Sequence, residues 1–161
     1  MKNKQMIYKV MSLTLIIDQI IKIIIRNSMT EYQEIIIIKN FFSILYVENT
    51  GAAFSILKDS TLLLIIISVL FVILLGSYIK KESEKFKKAE VVSYGLILGG
   101  IFGNMIDRII HRKVTDYLSF NIIKYEFPIF NFADMCIVVG AIILLIYILF
   151  IDKTSNRRKN G

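Results

Sequence analysis

LLLIIISVLFVILLGSYI, residues 62–79, is a run of 18 residues without a charged side chain. A bilayer core of about 30 Å requires roughly 20 mostly apolar residues in one helix, so this stretch predicts a membrane span. The whole chain of 161 residues is 55% hydrophobic, with one proline and a mean hydropathy of +0.63. We therefore predict a single integral membrane domain over residues 1–161, a membrane all-α fold. Its four transmembrane helices are expected at about residues 8–26, 61–79, 91–110 and 132–151.

The positive charge of the chain is concentrated near one set of helix ends. Residues 1–9 and 80–88 contain eight lysines and residues 152–161 four basic residues, which together are twelve of the twenty basic residues. Basic residues accumulate on the cytoplasmic side of membrane proteins, so both termini and the 80–88 loop are predicted to be cytoplasmic. Loops 27–60 and 111–131 are then extracytoplasmic. This placement of basic residues accounts for the net charge of +7. We therefore expect membrane lipids as partners and no nucleic acid.

The first span and the single cysteine carry little functional information by themselves. The first span follows three lysines, as a secretory signal does, but it lacks a small-x-small cleavage site and is interrupted by Asp18 and Lys22, so we interpret it as retained. Cys136 lies inside a predicted span and is interpreted as core. No Cys/His spacing typical of a metal site occurs, so neither a metal nor another cofactor is predicted.

Both extracytoplasmic loops contain short runs of β-branched and aromatic residues. Residues 35–38 and 41–47 in the first loop, and 114–118 and 122–127 in the second, have the composition of strands and are too short to cross a bilayer. We predict that they form a small β-sheet at the membrane surface.

The third predicted helix combines a glycine strip with a polar cluster. Gly95, Gly99 and Gly103 recur every four residues, which favours close packing of another helix. Asn104, Asp107 and Arg108 follow within about one turn, and polar residues at membrane depth indicate a partner or a water-filled cavity. Alternatively, Arg108 extends to the interface with Asp107 as its counter-ion.

Asp18 and Lys22 on the first helix are four residues apart and therefore share a helix face. They can form a structural ion pair that joins the first helix to its neighbours, or they can support a functional site.

Two aspartates stand near the two ends of the extracytoplasmic segment 114–134. Asn131 and Asp134 have the spacing of a helix N-cap and its third helical residue, so capping alone can explain both, but it does not explain Asp116. If the two carboxylates converge, their repulsion keeps one proton between them, and the pair can activate a water for attack on a peptide carbonyl. The helix dipole favours ionised Asp134, so we expect Asp116 to hold the shared proton. No serine or cysteine has an evident base beside it to act as a nucleophile.

Five motifs follow one another along the chain: Asp18-Gln19 with Lys22, Asn49-Thr50-Gly51-Ala52-Ala53-Phe54, Gly103-Asn104-Met105-Ile106-Asp107-Arg108, Val114-Thr115-Asp116-Tyr117 and Phe130-Asn131-Phe132-Ala133-Asp134. Each is weak alone, but the set covers nearly the whole chain and resembles bacterial lipoprotein signal peptidase, also called signal peptidase II. One departure is Ile21, where that family usually has threonine. It concerns the packing of the first helix and leaves the aspartate pair untouched.

The resemblance implies a monomeric aspartic endopeptidase of the bacterial cytoplasmic membrane, a multi-pass protein of four helices. Its substrate would be a diacylglyceryl-modified prolipoprotein, cut on the amino side of the lipidated cysteine. The sheet, antiparallel and formed by residues 31–58 and 113–127, would be the family's cradle for the substrate. Asp116 and Asp134 fall on the catalytic positions. The positions that line or support the site are Asp18, Lys22, Asn49, Gly51, Asn104, Asp107, Arg108, Asn131 and Ala133.

Three other interpretations use parts of the same pattern. A transporter or channel subunit could use the charged residues as an ion relay, although they cluster at one face of the membrane instead of crossing it. A structural membrane protein could assemble through the glycine strip, but it leaves the two aspartates unexplained. An intramembrane protease of the presenilin type would require a Gly-x-Gly-Asp motif, which does not occur in this chain.

Overall fold

A computed structural model describes residues 2–51, 57, 60–122 and 125–152. Ala52, Ala53 and Phe54 of the second motif, and the basic run in 153–161, lie outside the described residues. The described chain contains four long helices and a small antiparallel sheet, as predicted. The helices are α1 (Lys2–Ser28), α2 (Thr61–Glu82), α3 (Lys88–His111) and α4 (Phe132–Ile146), the last continued by a π-helical segment, Tyr147–Asp152.

Three of the described helices are long and apolar enough to cross a membrane. They lie at 61–85, 88–111 and 132–150 and correspond to the second, third and fourth predicted spans. Helix α1 has 27 residues, which is ample length, but Asp18, Lys22 and Arg26 interrupt its apolar sequence. A fourth span at 8–26 therefore stays a prediction.

Helix α3 lies between α1 and α4, and its glycines allow both neighbours to approach closely. A Cβ atom on Gly99 would stand 2.8 Å from the carbonyl oxygen of Met11 in α1, and one on Gly95 would collide with Val10. On another side of α3, Gly100 leaves the space that the backbone of Ala133 in α4 occupies. The predicted packing role of the glycine strip is confirmed, with α1 as the helix that packs on it.

Helix α2 lies at the edge of the bundle. Leu64 and Ile79 are its buried residues, and its other large apolar side chains are mostly exposed. Ile79 joins a buried cluster with Ile7 of α1 and Tyr94 of α3 at the predicted cytoplasmic end. Apolar side chains that remain exposed along a span-length helix are those expected of a lipid-facing surface.

The sheet contains β1 (Glu34–Ile38), β2 (Phe42–Asn49), β3 (Val114–Ile122) and β4 (Tyr125–Glu126), paired antiparallel in that order. The predicted break within residues 119–121 was wrong, because β3 continues through them. Phe120 pairs with Phe42 and their rings stack at 4.7 Å, which favours continued pairing at this point. The register also places Asn49 opposite Val114, so the end of β2 lies beside the start of β3.

Candidate active site

Asp116 lies near the start of β3 with its carboxylate buried and held by two amide groups. Asn49 donates to Oδ2 at 2.9 Å, and Asn131 donates to Oδ1 at 2.7 Å. The first contact follows from the pairing of β2 with β3, and the second comes from the residue that precedes α4. Three separate elements therefore meet at this one carboxylate.

Asp134 lies in the first turn of α4 and is half-buried. Its backbone N–H donates to Oδ1 of Asn131 at 3.0 Å, and its own Oδ2 accepts the backbone N–H of Asn131 at 3.2 Å. This reciprocal pair is the predicted capping arrangement. The other carboxylate oxygen, Oδ1, accepts a hydrogen bond of 2.7 Å from Asn104 of α3. Capping and orientation of the carboxylate thus coexist at one residue.

Asn131 connects the two carboxylates. Because its Oδ1 accepts the N–H of Asp134, its Nδ2 group is left to donate, and it donates to Asp116 and, at 3.2 Å, to Oδ1 of Asn104. Asn131 is completely buried. One amide therefore sets the positions of both aspartates at the edge of the membrane helices.

The surroundings of Asp116 favour its protonated form. Burial, and secondarily the negative charge of Asp134, raise the pKa of Asp116 to about 7. The amide donors Asn49 and Asn131 and the positive charge of Lys22 act in the opposite direction. A carboxyl group whose pKa is raised in this way can stay protonated near neutral pH and serve as an acid.

Both carboxylates line a cavity of about 540 Å³. Asn49, Asn104 and Arg108 complete its polar part, and Arg108 donates from Nη2 to the carbonyl oxygen of Gly51 at 3.1 Å. The rest of the wall is mainly apolar, formed by Val114, Phe120, Phe127, Pro128, Ile129, Phe130, Met135, Ile137, Val138 and Val139. The cavity thus combines a small acidic centre with a large apolar surface.

Asp18, Lys22 and Asp107 do not line this cavity but lie behind it, on the side of α3 that faces α1. All three are fully buried, and Lys22 pairs with Asp18 at 3.0 Å and with Asp107 at 3.2 Å. The predicted Asp18–Lys22 ion pair is confirmed. Asp107 also pairs with Arg26, whereas Arg108 reaches the cavity, so the alternative pairing of Asp107 with Arg108 does not describe the structure.

Two features of the site were missed in the sequence, and for Ala133, which was predicted, the kind of contact was not. Arg26 bonds to Asp107 and to the hydroxyl of Thr115, and its position four residues after Lys22 was the available signal. The aromatic stack of Phe42, Phe120 and Phe130 on the sheet had no periodic signal, because its members come from three separate segments. Ala133 contributes its backbone N–H, which donates to Asp18 at 3.0 Å, so its side chain has no part in the contact.

Sequence comparisons agree with this architecture. The sequence profile of the family described as Signal peptidase (SPase) II matches residues 10–150. A "Lipoprotein signal peptidase" of Clostridium tetani is 40% identical over 149 residues, which are 91% of this chain and 94% of the relative. A protein of the same name from Halothermothrix orenii is 39% identical over 151 residues, 94% of this chain and 100% of the relative.

Two solved structures have a similar fold. Both are bacterial membrane enzymes determined by the in meso method. The one at 2.3 Å resolution matches with a TM-score of 0.82 and 33% identity, covering 91% of this chain and 88% of that chain. The one at 1.9 Å resolution matches with a TM-score of 0.78 and 32% identity, covering 88% of this chain and 91% of that chain.

Proposed function

Because this chain belongs to the signal peptidase II family, we propose that it removes the signal peptide from diacylglyceryl-modified prolipoproteins, cutting on the amino side of the lipidated cysteine. The observation that carries the proposal is the meeting of Asp116 and Asp134 in one cavity with a mainly apolar wall. A lipidated peptide requires both features, because its acyl chains need apolar surface and its peptide bond needs an activated water.

In the proposed reaction the two aspartates act as a general base and a general acid. Ionised Asp134 takes a proton from a water while that water attacks the scissile carbonyl carbon. Protonated Asp116 donates its proton to the developing oxyanion, so no covalent intermediate forms. Collapse of the tetrahedral species then breaks the C–N bond: Asp134 passes its proton to the leaving amine, and ionised Asp116 takes a proton back from one hydroxyl of the intermediate, which restores the singly protonated pair.

The assignment of the two roles rests on the different surroundings of the carboxylates. Asp116 is buried on a strand, and its raised pKa of about 7 favours the protonated form that a general acid requires. Asp134 lies in the first turn of α4, where the helix dipole favours the ionised base. The proposed reaction starts from the state in which the pair of carboxyl groups carries one proton.

The proposed topology places the dyad at the extracytoplasmic edge of a four-span bundle in the bacterial cytoplasmic membrane, with both termini cytoplasmic. Helix α1 is the fourth span. Its exposed side includes Leu13, Ile16, Ile20 and Ile24, which suit lipid, while Asp18 and Lys22 are buried against α3. An ion pair enclosed by protein removes much of the cost of charge at membrane depth. We also propose that the protein acts as a monomer; all the proposed catalytic groups come from one chain, which is consistent with that state.

The test is separate replacement of the two aspartates, Asp116→Asn and Asp134→Asn, assayed on a diacylglyceryl-modified precursor in detergent. We expect each to lower kcat by at least about 1000-fold, because the pair needs one acid and one base. Glu84→Gln, at an exposed carboxylate in the predicted cytoplasmic link between α2 and α3, is the matched control. Full activity in either folded aspartate variant would remove the proposal, and so would activity that a chelator abolishes and added metal restores.

A further inference from the structure

Lys22 contacts three different acceptors. Its ammonium group lies 3.0 Å from Oδ2 of Asp18, 3.2 Å from Oδ2 of Asp107 and 2.9 Å from Oδ1 of Asn104. A lysine ammonium has three N–H donors, so all of them have an acceptor here. The side chain is fully buried. Such a group is expensive to bury and is stable only because its donors and its charge are matched.

Two of the three acceptors hold the backbone just before a proposed catalytic residue. Oδ1 of Asp18 accepts the N–H of Ala133 at 3.0 Å, one residue before Asp134. Oδ2 of Asp107 accepts the N–H of Thr115 at 3.1 Å, one residue before Asp116. The carboxylates that flank Lys22 therefore anchor both segments that carry the pair.

The third acceptor, Oδ1 of Asn104, belongs to an amide whose orientation matters for Asp134. Because Oδ1 of Asn104 faces the ammonium of Lys22, its Nδ2 group points to Asp134 and donates to Oδ1 at 2.7 Å. The opposite amide orientation would place N–H donors against the lysine and a carbonyl oxygen against the carboxylate. Lys22, together with Nδ2 of Asn131, which donates to the same oxygen at 3.2 Å, fixes this orientation, and Asp134 therefore receives a donor from α3.

We propose that Lys22 is a positioning residue that sets the placement of Asp116 and Asp134 relative to each other, through Asp107, Asp18 and Asn104. This inference rests on the proposed function, since it assigns to Lys22 an effect on the chemistry of that pair. A purely structural ion pair would explain the contact with Asp18. It would not explain why the three acceptors of one ammonium each continue to a residue of the proposed dyad or to the residue before it.

The experiment compares Lys22→Met with the double variant Lys22→Met/Asp18→Asn. Methionine keeps much of the side-chain volume without the charge, and the double variant removes one positive and one negative charge, so the buried region keeps its net charge. Lys9→Met, at an exposed lysine on the same helix, is the control. Thermal unfolding in detergent, kcat, KM and the pH dependence of kcat are measured on each, with Asp116→Asn in the same assay.

We expect the folded Lys22 variants to lose about 100-fold in kcat, the effect of a small misplacement of reacting groups, with KM within threefold of the parent. The groups acting on Asp116 are Asp134 on α4, Arg108 on α3, Lys22 on α1 and the amides of Asn49 and Asn131. Loss of the positive charge in Lys22→Met shifts the fall of kcat on the alkaline side of the pH profile to higher pH. A merely structural role would not produce this shift.

Each remaining outcome overturns the inference. These are a folded double variant with parental kcat, a rise in KM with unchanged kcat, or failure of both Lys22 variants to fold, which would make the role structural. If Asp116→Asn is itself active, the proposed function fails. If Asp116→Asn is inactive while the Lys22 variants keep parental kcat, the positioning role alone fails.

Discussion

Helix α3 separates two polar regions with similar residues but different degrees of pairing. On the side facing α1, Asp18, Lys22 and Asp107 are fully buried, and each has an ion-pair partner. On the cavity side, Asp134 is half-buried, and among the described residues Nε of Arg108 is buried without a hydrogen-bond partner. Charges that are paired and enclosed hold elements together, whereas incompletely satisfied groups at a cavity remain available to a substrate.

Asn104 has contacts in both polar regions. Among the changes that test the difference between these regions, its replacement is expected to have the largest effect on kcat. It accepts from Lys22 on one side and donates to Asp134 on the other. Asn104→Leu is expected to lower kcat by about 100-fold or more, because the carboxylate loses its donor and Lys22 loses an acceptor. Steady-state kinetics on a lipidated peptide measure it, with Met105→Leu as the neighbouring control. A kcat within threefold of the parent would show that the two regions are independent.

The packing of α1 on α3 can be disturbed without changing any polar group. Gly99→Ala would place a Cβ atom 2.8 Å from the carbonyl oxygen of Met11, so α1 must move away. We expect the free energy of unfolding to fall by about 1–3 kcal/mol. Gly76→Ala is the matched control, because no atom lies within 4 Å of its Cβ position in α2. Chemical denaturation in detergent measures both, and equal stability of the two variants would argue against close packing.

The pH dependence tests the difference between the two aspartates. With the pKa of Asp116 raised to about 7, the acid form is present below that pH and is lost above it. Activity is therefore expected to fall about tenfold for each pH unit above this pKa. The same raised pKa makes the contribution of Asp116 to folding greatest below its ordinary value of 3.8, and this contribution is lost as the pH rises through about 7. Activity that increases between pH 7 and 9 would reverse the assigned roles.

The apolar wall of the cavity should tolerate change better than either polar region. Met135 lines the cavity beside Asp134 and is 43% exposed. Met135→Ser is expected to raise KM for a lipidated peptide by about three- to tenfold with kcat unchanged, since only apolar contact is lost. Ile142→Ser, at an exposed residue of α4 outside the cavity lining, controls for the cost of a polar group in lipid. Equal KM values would place the substrate elsewhere.

Much of the fold could be predicted because local patterns carried it. Uncharged runs longer than 15 residues marked α2, α3 and α4, and the glycines spaced by four marked the surface against which α1 packs. The Asp18–Lys22 pair followed from helical spacing alone. The length of β3 could not be predicted in this way, because its second half pairs with residues 42–44 of β2, more than 70 residues away, where Phe120 also stacks on Phe42.

The partners of the charged residues showed the limit of local reasoning. Asp107 and Arg108 are adjacent in sequence, but adjacent helical residues point about 100° apart, so one faces α1 and the other faces the cavity. Which neighbour each would meet depended on the placement of α1 and β3. Arg26 and Thr115 entered the network for the same reason.

The sequence by itself determined that this chain is a membrane protein of long apolar helices, with two aspartates at the edge of those helices. These properties follow from hydropathy, charge placement and helical period, which act over a few turns. Only the tertiary structure decided that Asp116 is buried while Asp134 is half-buried, and that Lys22 lies behind both. Burial and hydrogen-bond partners depend on segments far apart in the chain, and these are the quantities that distinguish one carboxylate from the other.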